Sequence, residues 1–369
     1  MTVTVEMLPA GHGDALVVEY SEGGSKHQIL IDAGTYHSWD GVRAELVRRR
    51  RDRYETFVVT HVDEDHIGGA ISLLDDPDLK HRVSHVWFNG YIHCKRGGNV
   101  LGPVNGEQLT SRIVDGAFLW NDGFPRRVSN DVGGPVVVPS AGDLPRVVLP
   151  GGACAVLLSP TGPKLKRMAG VWEDEVRKAH LVAGAGSDGH TTSPKPFDRS
   201  VDPLPDPLDA AAVARLAGRK STDGSEANGS SIAFVLEYGD APTKRILLAG
   251  DAHASVLVKN LKRYADEVGE HPVRIDLVKL SHHGSNANVS TAMLELIDCR
   301  RYLVSTNGDN FGHPDDAALA KIVSAAGGPV TFYCNYRSKR TDPWAEHGPA
   351  VGASFKFPKG TKHTLRVTA

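Results

Sequence analysis

The sequence has few cysteines and no cysteine motif. Only four occur among 369 residues, and they stand far apart, at Cys94, Cys154, Cys299 and Cys334. No C-x-x-C pair is present, so neither a zinc ribbon nor a redox-active pair is indicated. A chain of this length builds a large core without disulfides, and we expect four reduced thiols in a cytoplasmic protein.

Long apolar runs and a strong net charge are also lacking. No stretch approaches the roughly 18 apolar residues of a membrane-spanning helix. The first residues, MTVTVEMLPAGHGDA, have neither the basic start nor the apolar run of a signal peptide, so we expect no membrane partner. With a formal net charge of −2, the protein as a whole does not attract nucleic acid. A nucleic-acid partner would need a local basic patch.

Ordinary globular composition and an alternation of strands with helices indicate an α/β protein. We expect one domain over residues 1–369, with an irregular insertion or lid at about residues 90–230 that is rich in Gly and Pro. The predicted strands are residues 2–8, 15–20, 28–31, 57–60, 83–88, 153–159, 232–238, 245–249, 277–280, 301–305 and 330–333. The predicted helices are residues 41–53, 68–74, 209–216, 254–264, 291–297 and 315–325.

A dense group of candidate metal ligands follows the apolar strand at residues 57–60. It contains His61, Asp63, Asp65 and His66 within six residues. Four such side chains in one loop repel each other or need costly desolvation unless a cation is present. The alternative is an acidic surface loop with two incidental histidines.

Two later segments repeat this arrangement of an apolar strand followed by polar residues. Residues 247–251 end on Gly250-Asp251, and a carboxylate can bridge two cations with its two oxygens. Residues 277–285 end on His282-His283-Gly284. Each segment alone also fits an ordinary turn, but their shared context favours one metal site at the strand ends.

The motif THVDEDHIGG resembles the first metal motif of the metallo-β-lactamase superfamily, in an H-x-D-x-D-H variant. The other motifs resemble those of one branch, the hydrolase domain of the ComEC competence-channel family and its free-standing relatives. They are GHGDA at residues 11–15, ILIDAG at 29–34, LLAGD at 247–251, KLSHHGS at 279–285 and NFGHP at 310–314. The resemblance implies an αββα sandwich, with two mixed sheets flanked by helices.

The resemblance also implies roles for individual residues. His283 would be the last metal ligand and His282 would face the substrate, although the two roles could also be swapped. Asp65 or Asp63 would orient the attacking water. His313 either reaches the same oxygens, protonates a leaving group, or is a turn histidine. Asp14 and Asp32 are expected to support ligands. The implied ligands of two divalent metal ions are His61 and Asp63 for one, Asp65 and His66 for the other, Asp251 as the bridge, and His283.

Two departures from the wider superfamily narrow the expected chemistry. Asp63 stands where a second histidine is usual, and the middle histidine has no clear counterpart, residues 227–231 being the best match. More oxygen donors let manganese compete better with zinc. These departures argue against β-lactamase activity, and the resemblance implies phosphodiester hydrolysis, most simply of DNA. The channel portion of ComEC is absent, so DNA transport is not implied.

Three functions therefore stay open from the sequence. A metal-dependent nuclease or phosphodiesterase is supported mildly by basic clusters at residues 48–53, 164–167 and 337–340, each of which also reads as a solvated surface. A small-molecule hydrolase of phosphoesters or lactones fits the near-neutral charge and the expected lid. A partner-dependent effector of a multi-protein, defence-type system would use residues 90–230 as a docking surface for a protein partner.

Overall fold

One mixed sheet contains seven strands. The structure, a computed structural model, describes residues 2–22, 24–49, 52–94, 104–125, 132–178, 203–240, 243–360 and 362–369. The strands are β1 (Thr2–Met7), β2 (Leu16–Glu22), β3 (Ser25–Ile31), β4 (Tyr54–Val58), β5 (Val83–Trp87), β6 (Leu119–Trp120) and β17 (Leu365–Thr368). Their order is β17-β1-β2-β3-β4-β5-β6. The sheet is antiparallel from β17 to β3 and parallel from β3 to β6.

A second mixed sheet contains eight strands. They are β7 (Arg146–Val148), β8 (Cys154–Ser159), β9 (Ala233–Tyr238), β10 (Lys244–Leu248), β12 (Leu277–Lys279), β14 (Arg301–Val304), β15 (Val330–Cys334) and β16 (Ala353–Lys356). Their order is β16-β15-β14-β12-β10-β9-β8-β7, parallel from β16 to β10 and antiparallel beyond. Two short strands, β11 (Val273–Arg274) and β13 (Ile297–Asp298), pair separately.

The helices connect these strands. They are α1 (Trp39–Arg48), α2 (Glu64–Asp75), α3 (Tyr91–Cys94), α4 (Val104–Asp115), α5 (Gly162–Lys178), α6 (Ala210–Ala217), α7 (Glu226–Gly229), α8 (Ala254–Val268), α9 (Thr291–Leu294), α10 (Asp316–Ala325) and α11 (Thr341–His347). Across the described ranges, no helix has the length and apolar character needed to cross a membrane.

The alternation of side chains along the strands builds two apolar layers. In β2, Leu16 and Val18 pack in the core shared with the second sheet, whereas Val17 faces the layer that holds α1 and α2. On the second sheet, Leu257 and Leu261 of α8 pack in the same large core. The result is two mixed sheets packed face to face with helices outside, the predicted αββα class.

The predicted ligands meet at one edge, where β4, β10 and β12 end. Hydrogen bonds between the two halves fix this edge. Ile232 N donates to Thr60 O at 2.9 Å, and Ser305 Oγ donates to Gly13 O at 3.0 Å. The loops that carry the candidate ligands are therefore held against each other by backbone contacts.

Several predicted boundaries are wrong. Helix α1 ends at Arg48, because the chain must turn before buried Tyr54 begins β4. Helix α2 begins at Glu64, four residues early, so it includes two candidate ligands. The helix expected over 291–297 ends at Leu294, where Leu296 O already pairs with Val273 N.

The segment at residues 90–230 is more regular than expected. Its described part contains α4, the 17-residue α5, and strands of both sheets. Leu165, Met168 and Trp172 of α5 are buried at helical spacing, a pattern that the surrounding Gly and Pro residues obscured. Residues 95–103, 126–131 and 179–202 lie outside the described residues. The division into domain and insertion stays a prediction.

Candidate metal centre

His61 and His66 are fixed by one carboxylate, that of Asp32. Asp32 Oδ2 accepts hydrogen bonds from Thr60 Oγ1 at 2.7 Å and from His66 Nδ1 at 2.8 Å. Because the Thr60 hydroxyl donates its one hydrogen to Asp32, it accepts a hydrogen bond from His61 Nδ1 at 3.0 Å. Both imidazoles therefore turn the Nε2 atom toward the site, an orientation typical of metal-binding histidines.

Asp65 and His66 stand in the first turn of α2, and both are buried. The backbone of this turn packs against the loop after β1. A Cβ at Gly13 would lie 1.7 Å from Asp65 O, so only glycine fits there. Asp63 precedes the helix and is 42% exposed, with Oδ2 3.4 Å from His61 Nε2. Asp63 is thus the solvent-facing member of the predicted set.

Asp251 lies at the centre of the cluster. Its backbone N donates to Ser231 Oγ at 3.0 Å, which fixes the turn after β10. Asp251 Oδ2 lies 3.4 Å from His66 Nε2, 4.0 Å from His61 Nε2 and 3.7 Å from His283 Nε2. The side chain is 2% exposed. One carboxylate therefore faces these three buried imidazoles, as a bridging ligand would.

His282 and His283 have left-handed backbone, with φ of 48° and 54°. Five described non-glycine residues have positive φ, and three of them, including Asp32, border this site. Such conformations cost of order 1–3 kcal/mol each and persist where the surroundings demand them. Here they turn both imidazoles toward Asp251. His283 Nε2 lies 3.3 Å from Asp65 Oδ2, and its Nδ1 donates to Ser305 O at 2.8 Å.

Two overlapping groups of donor atoms can each hold a cation. One consists of His61, His66 and Asp251, the other of Asp65, His66 and His283. A third group, Asp14, Asp32 and His66, also has close atoms. Its two carboxylates already bind Lys279 and the Thr60–His66 pair, so it supports the site from behind.

The residues present fit divalent cations. Nε2 of His61, His66 and His283 and Oδ1 of Asp251 are buried without a hydrogen-bond partner. A buried polar atom without a partner carries a desolvation cost of about 1–3 kcal/mol. The three Nε2 atoms lie 3.4–4.0 Å from Asp251 Oδ2, and a cation held among them would satisfy them.

Without a cation, the cluster is a network of imidazoles and carboxylates. Burial lowers the pKa of His283, but Asp251 and Asp14 outweigh burial and raise it to about 10. Burial also lowers the pKa of His66, but neighbouring carboxylates, Asp251 above all, raise it well above the ordinary value. Burial tends to raise the pKa of Asp251, but neighbouring His66 holds it well below the usual range. Cation binding therefore displaces protons from these imidazoles.

His282 stands on the open side of the cluster, 20% exposed. Its Nε2 lies 3.8 Å from Asp251 Oδ2. Its Nδ1 donates to Asn288 Oδ1 at 3.1 Å and lies 3.7 Å from Asp223 Oδ2. Asp223 Oδ2 in turn accepts from Asn288 Nδ2 at 2.8 Å and from Asn228 Nδ2 at 2.7 Å. A polar frame thus fixes the ring and leaves Nε2 facing the site.

His313 and Phe311 border His282. The imidazole of His313 is buried, and its ring centroid lies 5.1 Å from that of His282. Burial lowers the pKa of His313, although Asp315 opposes this effect. The structure therefore brings every predicted site residue to one place: His61, Asp63, Asp65, His66, Asp251, His282, His283 and His313.

Sequence reasoning missed Asp223, Asn288 and His12. Asp223 and Asn288 hold His282, yet polar residues in Gly/Ser-rich segments carry no pattern that marks them. His12 stands in the GHGDA turn, at the position where the G-x-G-D-A motif allows any residue. Burial lowers its pKa, against the opposing charge of Asp65. The signal for these residues is spatial, because they belong to three separate loops.

The predicted basic clusters are largely paired with acids. Arg49 pairs with Glu6, Arg167 with Glu226 and Arg337 with Asp342. Residues 50 and 51 lie outside the described residues. Arg340 is the exception of interest, because its guanidinium packs against Gly312, beside the site: a Cβ there would lie 2.8 Å from Nη2.

A family model now identifies this arrangement. The model of the Metallo-beta-lactamase superfamily matches residues 8–148, which include the first metal motif. The match covers this part of the chain and agrees with the two packed sheets of the fold. Together with the ligand groups, it supports a metal-dependent hydrolase. The narrower resemblance to the ComEC hydrolase domain stays a prediction.

Comparison with solved structures gives weak likenesses. The metallo-beta-lactamase SMB-1 bound to 2-mercaptoethanesulfonate is 12% identical, with a TM-score of 0.27, over 87% of this chain and 92% of that chain. Its complex with mercaptoacetic acid gives 12% identity and a TM-score of 0.26, over 87% and 93%. Likenesses at these values support no inference about substrate. A comparison with curated proteins finds no match.

Proposed function

We propose that this domain is a phosphodiesterase that uses two divalent cations, with nucleic acid as the expected substrate. The observation that carries the proposal is the position of His282. Its imidazole faces the open side of the donor groups, with Nε2 3.8 Å from the central carboxylate of Asp251. The proton-bearing Nδ1 is held from behind by Asn288. An imidazole so placed can hydrogen-bond or protonate an oxygen of a tetrahedral anion at the site.

The ligand sets follow from one constraint. His66 has a single free nitrogen, so it can serve only one of its two donor groups. We assign His66 to Asp65 and His283, whose Oδ2 and Nε2 lie 3.3 Å apart, in keeping with the set that the sequence motifs imply. The other cation then takes His61, Asp251 and the exposed Asp63. Fully buried His283 is the metal ligand, and partly exposed His282 faces the substrate. This is the assignment that the resemblance implied for the two histidines.

Bound divalent cations would supply an activated water at neutral pH and neutralise charge on phosphoryl oxygens. The side chains of this chain do the rest. Asp65 Oδ2, fixed by α2 and His283, can orient the water's proton. His282 donates to a phosphoryl oxygen, and His313 offers a further imidazole N–H to the leaving group. Zinc and manganese both fit, because Asp63 supplies oxygen where an imidazole is usual.

A substrate panel tests the proposal. Purified protein loaded with zinc or manganese is assayed on single-stranded DNA, duplex DNA, a glycerophosphodiester, a lactone and a β-lactam. We expect phosphodiester cleavage that is lost in Asp251→Asn. Cleavage of the lactone or β-lactam alone contradicts the proposal. If activity appears only when a co-purifying protein is present, the site's chemistry stands and the partner-dependent alternative is favoured.

A further inference from the structure

An exposed aromatic ring stands at the mouth of the site. Phe311 is 41% exposed, and no other described Phe, Tyr or Trp side chain is as exposed. Isolated apolar side chains on a surface are common and need no explanation by themselves. The position of this one, in contact with the substrate-facing imidazole, is the informative feature.

Three imidazoles surround Phe311. Its ring centroid lies 6.3 Å from that of His282 with a near-perpendicular arrangement, and 6.3 Å from that of His12 in an edge contact. The ring of His313 is nearly parallel to it, 6.2 Å away. These contacts fix the orientation of the ring from its edges and from one side. The exposed fraction is therefore a held surface beside the cluster.

The spacing suits a base attached to a reacting phosphate. Only the His282 ring separates a phosphoryl group in contact with His282 Nε2 from Phe311, since the two ring centroids are 6.3 Å apart. In a nucleotide a single sugar separates the phosphate from the base. The exposed surface of Phe311 is thus within reach of the base next to the scissile linkage. Every base has a π-face, so such stacking does not require a particular sequence.

The surroundings favour a base over a quaternary ammonium group. Cages for such cations use several aromatic rings around the charge. In the described part of the chain, Phe311 is one phenyl ring among imidazoles. The Arg340 guanidinium packs under the adjacent Gly312, which adds positive charge on that side. A neutral base joined to an anionic backbone suits this setting.

We propose that Phe311 stacks the base that adjoins the scissile phosphate, so the substrate class is single-stranded nucleic acid. In a duplex, base faces are covered by neighbouring pairs and are not available to an inserted ring without unstacking. This inference rests on the proposed phosphodiesterase function for the meaning of "scissile". The part of the inference that concerns base binding depends only on the position of Phe311.

The test compares binding of a 12-nucleotide oligothymidylate with that of the same strand carrying abasic residues. Both strands carry phosphorothioate linkages, which slow cleavage, and binding to the metal-loaded full chain is followed by fluorescence anisotropy. We expect Phe311→Ala to weaken binding of the thymidine strand roughly 5- to 150-fold, the usual range for one lost stacking partner. Binding of the abasic strand should stay unchanged.

Two further variants keep the outcome interpretable. Phe311→Trp should retain affinity, and its fluorescence should be quenched by the thymidine strand but not by the abasic strand. Val148→Ala, at a 76% exposed apolar residue of edge strand β7, is the matched control and should bind like the wild type. Equal losses for both strands in Phe311→Ala, or tighter binding of a 12-base-pair duplex, would overturn the inference.

The two proposals fail in different ways. If wild-type protein cleaves a glycerophosphodiester while Phe311→Ala binds both strands normally, base stacking is refuted and the phosphodiesterase stands. If no phosphodiester is cleaved but Phe311→Ala selectively loses the thymidine strand, the stacking surface stands and the proposed chemistry fails.

Discussion

Lys279 Nζ lies 2.5 Å from Asp14 Oδ2, and both side chains are almost completely buried. The pair joins the turn after β1 to the end of β12. Asp14 Oδ1 also lies 3.4 Å from Nδ1 of His283. A buried ion pair therefore links two distant motifs of the sequence directly behind one candidate ligand.

Breaking this pair should destabilise the fold. Lys279→Met leaves the carboxylate of Asp14 buried without its cationic partner, and we expect a loss of about 3–5 kcal/mol in the free energy of unfolding. Urea denaturation with a chelator present measures it without a metal contribution. Lys279→Met combined with Asp14→Leu should recover part of the loss. As a control, Arg48→Met at the exposed Arg48–Glu45 pair should cost about 0–1 kcal/mol. A loss below that of the control would refute the role of the pair.

Asp32 should tune metal affinity without binding metal. It accepts from His66 Nδ1 and from Thr60, so Asp32→Asn removes the negative charge behind two ligand imidazoles. We expect metal affinity to fall about 10- to 100-fold, the typical effect of losing such a supporting group. Calorimetric titration of chelator-treated protein with zinc measures this. The control is Asp40→Asn, at an exposed residue of α1. Unchanged affinity in Asp32→Asn would contradict the assignment.

Asp223 should act as a positioning residue through His282. Burial lowers the pKa of His282, but Asp251 and then Asp223, whose Oδ2 lies 3.7 Å from Nδ1, raise it above the ordinary value. Asp223→Asn should therefore shift the pH-profile limb that belongs to His282 toward lower pH. We also expect kcat to fall by about 10²-fold, the lower end for general acid catalysis, with a smaller change in KM. Glu226→Gln, a nearby acid on α7, serves as control. Loss of activity with an unmoved pH profile would indicate only a structural role.

The stability of chelator-treated protein should fall in alkaline solution. The pKa of His283 is raised by Asp251 and Asp14 beyond the opposing effect of burial, to about 10, from an ordinary value near 6.5. Its stabilising contribution is complete below about pH 6.5 and is lost as pH rises toward 10. Urea midpoints across this range measure the slope. The slope should weaken in His283→Gln but persist in His347→Gln. Metal-loaded protein should lack it, because the ligands are then deprotonated. A flat profile in chelator would refute this.

Local pattern predicted an α/β protein with candidate ligands at strand ends, and the resemblance of its motifs implied the αββα class. Apolar strands that end in polar residues were visible at His61, Asp251 and His283, and parallel strand ends share an edge. The helical start of α2 at Glu64 was missed, because Asp63 stands at the N-cap position without a capping side-chain hydrogen bond and its sequence context is typical of a loop.

The frame of His282 could not be predicted from the sequence. Asp223 and Asn228 come from one segment and Asn288 from another, and only the fold brings their side chains to the imidazole of a third. Likewise, the Lys279–Asp14 contact depends on how the two sheets meet. Such contacts leave no periodic trace in a single sequence, because each involves one residue per loop.

Anomalous diffraction from crystals loaded with zinc or manganese tests the central claim most directly. The account predicts two peaks about 3.5–4 Å apart, the spacing of two-metal sites, on either side of the Asp251 carboxylate. One should contact His61 and Asp63, and the other Asp65, His66 and His283. A single peak, or peaks held by Asp14 and Asp32, would contradict it.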